Sequence, residues 1–118
     1  MATNTEKRIL MTLTMPQALE TILAKERAFA DCSMATLMRR ITKWHRGEGA
    51  GRHQDAPTIK RSKRIATTRV TKSFLVDEED VAYLDKLGAE VGVPRITALL
   101  MVIYQWLDID VFAPRGSK

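Results

Sequence analysis

The chain has 118 residues, of which 45% are hydrophobic, and its 19 Lys and Arg against 14 Asp and Glu give a net charge of +5. This length and apolar content predict a single domain over residues 1–118, and they exclude whole-chain disorder and a two-domain enzyme. The longest apolar stretch, residues 96–107, spans about 12 residues, well short of the ~20 that cross a bilayer. With no signal-peptide pattern at the N-terminus, we expect a cytoplasmic protein without membrane association.

Motifs for catalysis or metal binding are missing from the sequence. Cys32 is the only cysteine, and it does not form a metal-ligand spacing with the two histidines, His45 and His53. The glycine-rich GEGAG segment lacks the Lys-Ser/Thr pair that a phosphate-binding loop requires, and no hydrolase or zinc-protease signature occurs. We therefore expect neither an enzyme nor a cofactor or metal.

Charge is unevenly distributed along the chain. Residues 46–72 hold eight basic side chains and two acidic ones, whereas residues 77–90 hold six acidic side chains and a single lysine. A basic region beside an acidic one predicts a surface that attracts polyanions on one side.

The first predicted elements are a strand, a helix, a turn and a second helix. Alternating apolar and polar residues predict a strand over residues 8–15. Pro16 suits the first turn of a helix that continues to about Ala30, and Asp31 or Ser33 can cap the next helix. The apolar residues at helical spacing are Leu19, Ile22, Leu23 and Phe29 in the first helix and Met34, Leu37, Met38, Ile41 and Trp44 in the second.

The same order returns further along the chain. Residues 69–76 are rich in Val, Thr and Phe and predict a strand, and three acids from Asp77 onward favour a helix start. Gly92 is suited to end that helix, and Pro94 to open a last helix that is apolar around most of its circumference. We expect this last helix at the centre of the fold.

Superposing the two halves indicates a tandem repeat. An offset of 61 places Pro16 on Asp77 and Leu19 on Asp80, and an offset of 62 places Trp44 on Trp106. Both tryptophans are predicted core anchors. The predicted units are residues 7–46 and 69–110, joined by a flexible basic linker over residues 47–68.

One such unit is too small to bury its own apolar face, so two units are expected to pair their strands in an antiparallel ribbon above four helices. The inward-facing strand residues would be Ile9, Met11, Leu13, Met15, Phe74 and Val76. The predicted fold is therefore mainly α with a short two-stranded ribbon, and a monomer that acts as a pseudo-twofold intramolecular dimer.

This order of elements, with Gly92 and the following VPRIT segment, resembles the ribbon-helix-helix (MetJ/Arc) superfamily of DNA-binding proteins. The tandem arrangement resembles accessory proteins of conjugative transfer of the TraY type, and those of the virulence C-operon type that act at T-DNA border and overdrive sequences. The resemblance implies a double-stranded DNA partner, with a relaxase or nuclease complex as a further candidate partner. A transcriptional repressor or antitoxin-like regulator is the alternative that the same fold allows.

In this family the outer face of the ribbon contacts bases in the major groove. The resemblance assigns that role to Leu10, Thr12, Thr14, Thr71, Ser73 and Leu75. Family members often carry longer polar side chains at these positions, which this chain lacks. Phosphate contacts are expected from the second helix of each unit, from the ribbon margins and from the linker: Arg8, Ser33, Lys60, Arg61, Lys63, Arg64, Arg69, Lys72, Arg95 and Thr97. Plain helix capping by Ser33 and Thr97, and docking of another protein on the acidic residues 77–85, are the alternatives at these places.

Overall fold

The computed structural model describes residues 7–56 and 68–108. Within these ranges the chain forms two strands and four helices: β1 Arg8–Pro16, α1 Gln17–Ala30, α2 Met34–His45, β2 Arg69–Asp77, α3 Glu78–Val91 and α4 Arg95–Leu107. The two strands form an antiparallel sheet. The predicted mainly α class with a short antiparallel ribbon is therefore confirmed.

The ribbon alternates between a buried and an exposed face. Arg8 lies opposite Asp77, Thr12 opposite Ser73 and Pro16 opposite Arg69, so the strands pair along their full length. The face toward the helices buries Met11, Leu13, Met15, Phe74 and Val76. Successive side chains of a strand point to opposite faces, and the strands therefore present their intervening residues to solvent, as predicted.

Local signals in the sequence place the helix ends within a residue or two. Helix α1 begins at Gln17, one residue later than predicted, because Pro16 has extended backbone geometry and still belongs to β1. The Ser33 hydroxyl accepts a hydrogen bond from the Thr36 amide and caps α2. Gly92 has a φ of +80° and ends α3, in the left-handed conformation that glycine adopts at least cost.

The α3–α4 turn also depends on a glycine inside α3. A Cβ placed on Gly88 would lie 2.5 Å from the Val93 carbonyl oxygen. The carbonyl oxygen of Gly88 also accepts hydrogen bonds from the amides of Gly92 and Val93, at 2.7 and 2.8 Å. A larger residue at position 88 would push this turn apart.

Helix α4 lies at the centre of the core, as predicted. It packs against α2, α3 and β1. Its buried residues occupy most of its circumference: Ala98, Leu99, Val102, Ile103, Tyr104 and Leu107. Each Å² of apolar surface removed from water stabilises the fold by about 20 to 33 cal/mol, so this helix is a principal source of stability.

The two tryptophans predicted as core anchors differ from each other. Trp106 is partly buried and packs against the core, whereas Trp44 is half-buried and lies outside the core cluster. Phe29, in the last turn of α1, is 45% exposed, and its ring lies at a tilt to that of His53. Thr42 is fully buried instead, and its hydroxyl donates a hydrogen bond to the Met38 carbonyl at 2.9 Å.

The predicted linker over residues 47–68 is partly a packed segment. Arg52 Nε donates to Glu26 Oε2 on α1 at 2.8 Å, and the Glu26 side chain is only 4% exposed. A buried carboxylate requires such a partner, so residues 47–56 return to the surface of α1. Residues 57–67 lie outside the described residues.

Among the described residues, no single helix is long and apolar enough to cross a membrane. Only α3 and α4 taken together reach that length, and they join at a 94° bend.

Candidate nucleic-acid interface

The outer face of the ribbon carries the six side chains that the sequence predicts as base contacts. All six are exposed: Leu10, Thr12, Thr14, Thr71, Ser73 and Leu75. Leu10 and Leu75 lie directly opposite each other and are 62% and 45% exposed. Two large apolar side chains side by side on an open sheet face form a small apolar patch that water covers in the free protein.

Two hydroxyl pairs follow the leucines along the same face. Thr12 Oγ1 lies 2.9 Å from Ser73 Oγ, and Thr14 Oγ1 lies 2.9 Å from Thr71 Oγ1. One hydroxyl of each pair donates to the other, so each pair keeps one free O–H donor and several acceptor lone pairs. The face is thus apolar toward one end of the ribbon and hydroxyl-rich toward the other.

Arginines border the ribbon. Arg8 Nε lies 3.4 Å from Asp77 Oδ1 at the leucine end, and Arg69 is exposed at the opposite end, across from Pro16. Arg39, on α2, donates from Nη1 to the Leu75 carbonyl at 3.0 Å and so holds α2 against the edge of β2. Arg39 is not among the predicted site residues, because in the sequence it is only one of several basic residues on the polar side of α2.

Lys72 faces the other way. Its strand position puts it on the side of Phe74 and Val76, and its Nζ lies 3.9 Å from Glu20 Oε2 on α1. The alternation of strand side chains therefore separates Lys72 from the outer face. The predicted phosphate contacts Lys60, Arg61, Lys63 and Arg64 lie outside the described residues.

The N-termini of α2 and α4 have different surroundings. At α2, the Ser33 hydroxyl caps the helix and also donates to Thr36 Oγ1 at 3.1 Å. At α4, Pro94 occupies the cap position and Thr97 is half-buried in the first turn. Both termini have the amide groups that bind anions at helix starts.

Arg95, predicted as a phosphate contact, is engaged within the protein. Its Nε and Nη2 donate to the two carboxylate oxygens of Asp85 at 2.7 and 2.8 Å. The hydrogen bond from Arg95 lowers the pKa of Asp85 below its ordinary value of 3.8. The pair fixes the guanidinium beside α3, and Asp85 offsets part of its charge.

The acidic residues 77–85 do not form an open acidic surface. Asp80 is fully buried, with Lys43 Nζ 3.3 Å away and Arg46 Nη1 also bound to it. Lys43 Nζ lies 3.1 Å from Asp77 and Arg46 Nη1 lies 3.2 Å from Glu79. We call these five residues the Asp80 cluster.

The cluster shifts the titration of its cations. Burial alone lowers the pKa of Lys43, but hydrogen bonds to Asp77 and Asp80 outweigh it and raise that pKa above 10.5. Desolvation likewise lowers the pKa of Arg46, but hydrogen bonds to Asp80 and Glu79, together with the charges of Asp80 and Glu48, outweigh it and raise that pKa. These cations are therefore charged at neutral pH and balance the acids, which removes most of the support for a protein-docking role of residues 77–85.

The burial of Asp80 was not predicted, although the repeat contains a signal for it. The offset of 61 between the halves places Asp80 on Leu19, and Leu19 is 3% exposed. A position that is buried in one half predicts burial in the other. The partners Lys43 and Arg46 come from another helix and had no signal of their own.

A hydrogen-bonded trio lies next to the cluster. The His45 ring, at the end of α2, bonds through Nδ1 to the Tyr83 hydroxyl on α3 and through Nε2 to Gln105 Oε1 on α4 at 3.0 Å. Burial raises the pKa of Tyr83, so its hydroxyl stays protonated and able to donate. The trio ties α2, α3 and α4 together.

No group of three potential metal ligands occurs within the part of the chain that the structure describes. Comparisons of the chain with models of known protein families, with curated proteins and with solved structures find no match.

Proposed function

We propose that this protein binds double-stranded DNA with the outer face of its ribbon, as a tandem ribbon-helix-helix protein whose two halves pair within one chain. The observation that carries the proposal is the paired ribbon itself: its back is packed on the helices, and its six outward side chains have no covering element among the described residues. A two-stranded ribbon fits the width of the major groove.

The strand register supports the tandem arrangement. The offset of 61 that relates the two halves pairs Thr12 with Ser73, and these two residues lie directly opposite each other at the centre of the ribbon. In a twofold arrangement, equivalent residues meet where the axis passes through the ribbon. Both strands have 9 residues, both first helices 14, and the second helices 12 and 13.

Charge supports a polyanionic partner. The chain carries a net charge of +5, and ion pairs within the Asp80 cluster and between Asp85 and Arg95 offset the charge of several acids. Arg8 and Arg69 border the ribbon. Such basic groups beside a duplex release counterions from the phosphates, which sets affinity without sequence preference.

The ribbon face supplies the proposed base contacts. The free donor and acceptors of the Thr12–Ser73 and Thr14–Thr71 pairs suit base edges, and the Leu10–Leu75 patch suits the C5-methyl groups of thymine. Because the two ends of the face differ, the protein has one preferred orientation on the duplex.

A directional site of this kind fits an accessory factor in DNA processing for conjugative or T-DNA transfer, where one strand is processed from a defined point. We include this role in the proposal. It rests on the asymmetric ribbon face and on the resemblance seen in the sequence.

The test is recovery of bound fragments. Sheared DNA from the protein's own source is incubated with the purified chain at near-physiological salt, and the bound fragments are sequenced. Enrichment next to a nicking or transfer-origin sequence is the expected result. A single peak over the protein's own promoter would replace the transfer role with a repressor role, and no enrichment over random fragments would refute selective binding.

Substitutions in the hydroxyl pair test the proposed base contacts. Thr12→Ala with Ser73→Ala removes the central pair, and we expect a greater loss of affinity for the enriched site than for random duplex. Thr21→Ala, at an exposed threonine on α1, is the matched control and should change neither. Equal loss on both duplexes would contradict base contact by this pair.

A further inference from the structure

The Asp80 cluster joins the two halves of the chain on one side only. Its cations lie at the C-terminal end of α2, with Lys43 in the last turn and Arg46 at the C-cap, and its acids lie at the junction of β2 and α3. The contacts are close, with Lys43 Nζ 3.1 Å from Asp77 and 3.3 Å from Asp80. Asp80 is fully buried, and the Arg46 side chain is 16% exposed.

The positions equivalent to the Asp80 cluster in the other pairing of the two halves are uncharged or carry the opposite charge. The offset of 61 places Asp77 and Asp80 on Pro16 and Leu19, and the offset of 62 places Lys43 on Gln105. Leu19 is 3% exposed and belongs to the apolar core. Gln105 accepts a hydrogen bond from His45 rather than binding a carboxylate.

The remaining position reverses the charge. Arg46 corresponds to Asp108 at the offset of 62, and Asp108 is exposed at the end of α4. The α2 face thus carries two cations where the α4 face carries an amide and an acid. The two halves are therefore not interchangeable at this interface.

Pairing of like halves would leave charges without partners. Two copies of the first half would bring Lys43 and Arg46, which are 32% and 16% exposed, against the apolar Leu19 and leave both cations without a carboxylate. Two copies of the second half would bring Asp80 against Gln105 and Asp108. A buried charge without its counter-ion is strongly unfavourable, whereas the same charge in a hydrogen-bonded pair is tolerated.

We propose that the cationic C-terminal end of α2, formed by Lys43 and the capping Arg46, is a partner-selecting surface that fits the acidic β2–α3 junction of the second half and rejects a second copy of the first half. The proposal rests on the tandem arrangement proposed above. As a consequence, each protein presents one asymmetric ribbon. If two molecules exchange halves, each first half still pairs with a second half.

The test uses the whole folded chain, cleaved once at a protease site placed within residues 57–67, with both pieces retained. The pieces are unfolded together, refolded and examined by native mass spectrometry. Unlike pairs are expected to exceed like pairs by at least about a hundredfold, since a second-half pair strands the buried Asp80 and the first-half pair formed with it leaves Lys43 and Arg46 without their carboxylates. Random pairing, at about one part of each like pair to two parts of unlike pair, would overturn the proposal, and so would refolded pieces that stay single.

A variant assigns the selection to the cluster. Asp80→Leu with Lys43→Gln and Arg46→Asp gives the charged side the residues of the other side, and like pairs should then appear. If this variant is unfolded, Asp80→Asn keeps the side-chain shape and should raise the share of second-half pairs. Persistence of unlike pairs alone in a folded variant would overturn the assignment.

Glu78→Gln is the matched control, because Glu78 is exposed on the same turn of α3 and has no ion pair within 4 Å among the described residues. It should leave the pairing of unlike halves unchanged. No DNA enters this experiment. A failure here would leave DNA binding by the intact chain to be judged separately, and a failure to bind DNA would leave the pairing result standing.

Discussion

Replacing both outward leucines tests the apolar end of the ribbon. Full burial of a leucine stabilises a complex by about 1.5 to 3 kcal/mol. Because Leu10 is 62% and Leu75 45% exposed in the free protein, contact with DNA can still gain about 1 kcal/mol from each. Leu10→Ala with Leu75→Ala should then weaken binding to the selected site by about 2 kcal/mol, roughly 30-fold.

Deoxyuridine in place of thymidine removes only the C5-methyl group. One buried methyl contact is worth about 0.8 kcal/mol, so the wild-type chain should bind thymine-containing DNA about fourfold more tightly for each methyl in contact. The double variant should bind both DNAs with equal affinity. Fluorescence anisotropy titrations of the selected duplex, with each thymine replaced in turn, measure both effects.

The control variant is Val91→Ala, at an exposed valine that ends α3, and it should leave the thymine preference unchanged. Circular dichroism verifies the fold of each variant, since loss of the cross-strand leucine pair costs up to about 1 kcal/mol of stability. A thymine preference that survives in the double variant would refute contact between these leucines and the methyl groups. Equal wild-type affinity for thymine and uracil duplexes would refute it as well.

Three further predictions concern charge. Asp80→Ala should destabilise the fold by about 3 kcal/mol, seen as a fall of about 12 °C in the melting temperature, and a change below about 0.5 kcal/mol would show that the cluster is not needed for stability. Arg95 lowers the pKa of Asp85 in the folded state, so the pair stabilises the fold above the ordinary pKa of 3.8, and this stabilisation is lost as the pH falls through the lowered pKa. Asp85→Asn should therefore cost under about 1 kcal/mol of stability near neutral pH and nothing at a pH below both pKa values. Thermal melts whose difference from wild type is independent of pH would contradict this. Replacing the four basic linker residues by alanine should weaken binding to all duplexes and flatten its salt dependence, and an unchanged slope of log K against log salt would exclude phosphate contacts by Lys60, Arg61, Lys63 and Arg64.

Much of the ribbon could be predicted from alternation alone. The outward positions of Thr12 and Ser73 follow from the period of a strand once Met11 and Leu13 are assigned inward. The same rule places Lys72 on the helix side, although its positive charge led to its prediction as a phosphate contact. The charge of a basic residue in a strand lies on the face to which its place in the alternation directs the side chain.

Side-chain partners were harder to predict, because they depend on elements that are distant in sequence. Arg95 and Asp85 are ten residues apart across the turn that Gly92 makes, and that turn alone brings them together. Glu26 falls at helical spacing on the same face as Leu19 and Leu23, and its carboxylate is buried there with Arg52, which returns to it from the segment after α2.

The order of strands and helices, their approximate ends and the two faces of the ribbon follow from the sequence, because they depend on local periodicity and on residues such as Pro16, Ser33 and Gly92. Which charges are free depends on how the helices pack against each other. Asp80 is an ordinary helix-start acid until α2 brings Lys43 and Arg46 against it. Burial and ion pairing are properties of surfaces that meet in space, and no local pattern in the chain encodes which surfaces will meet.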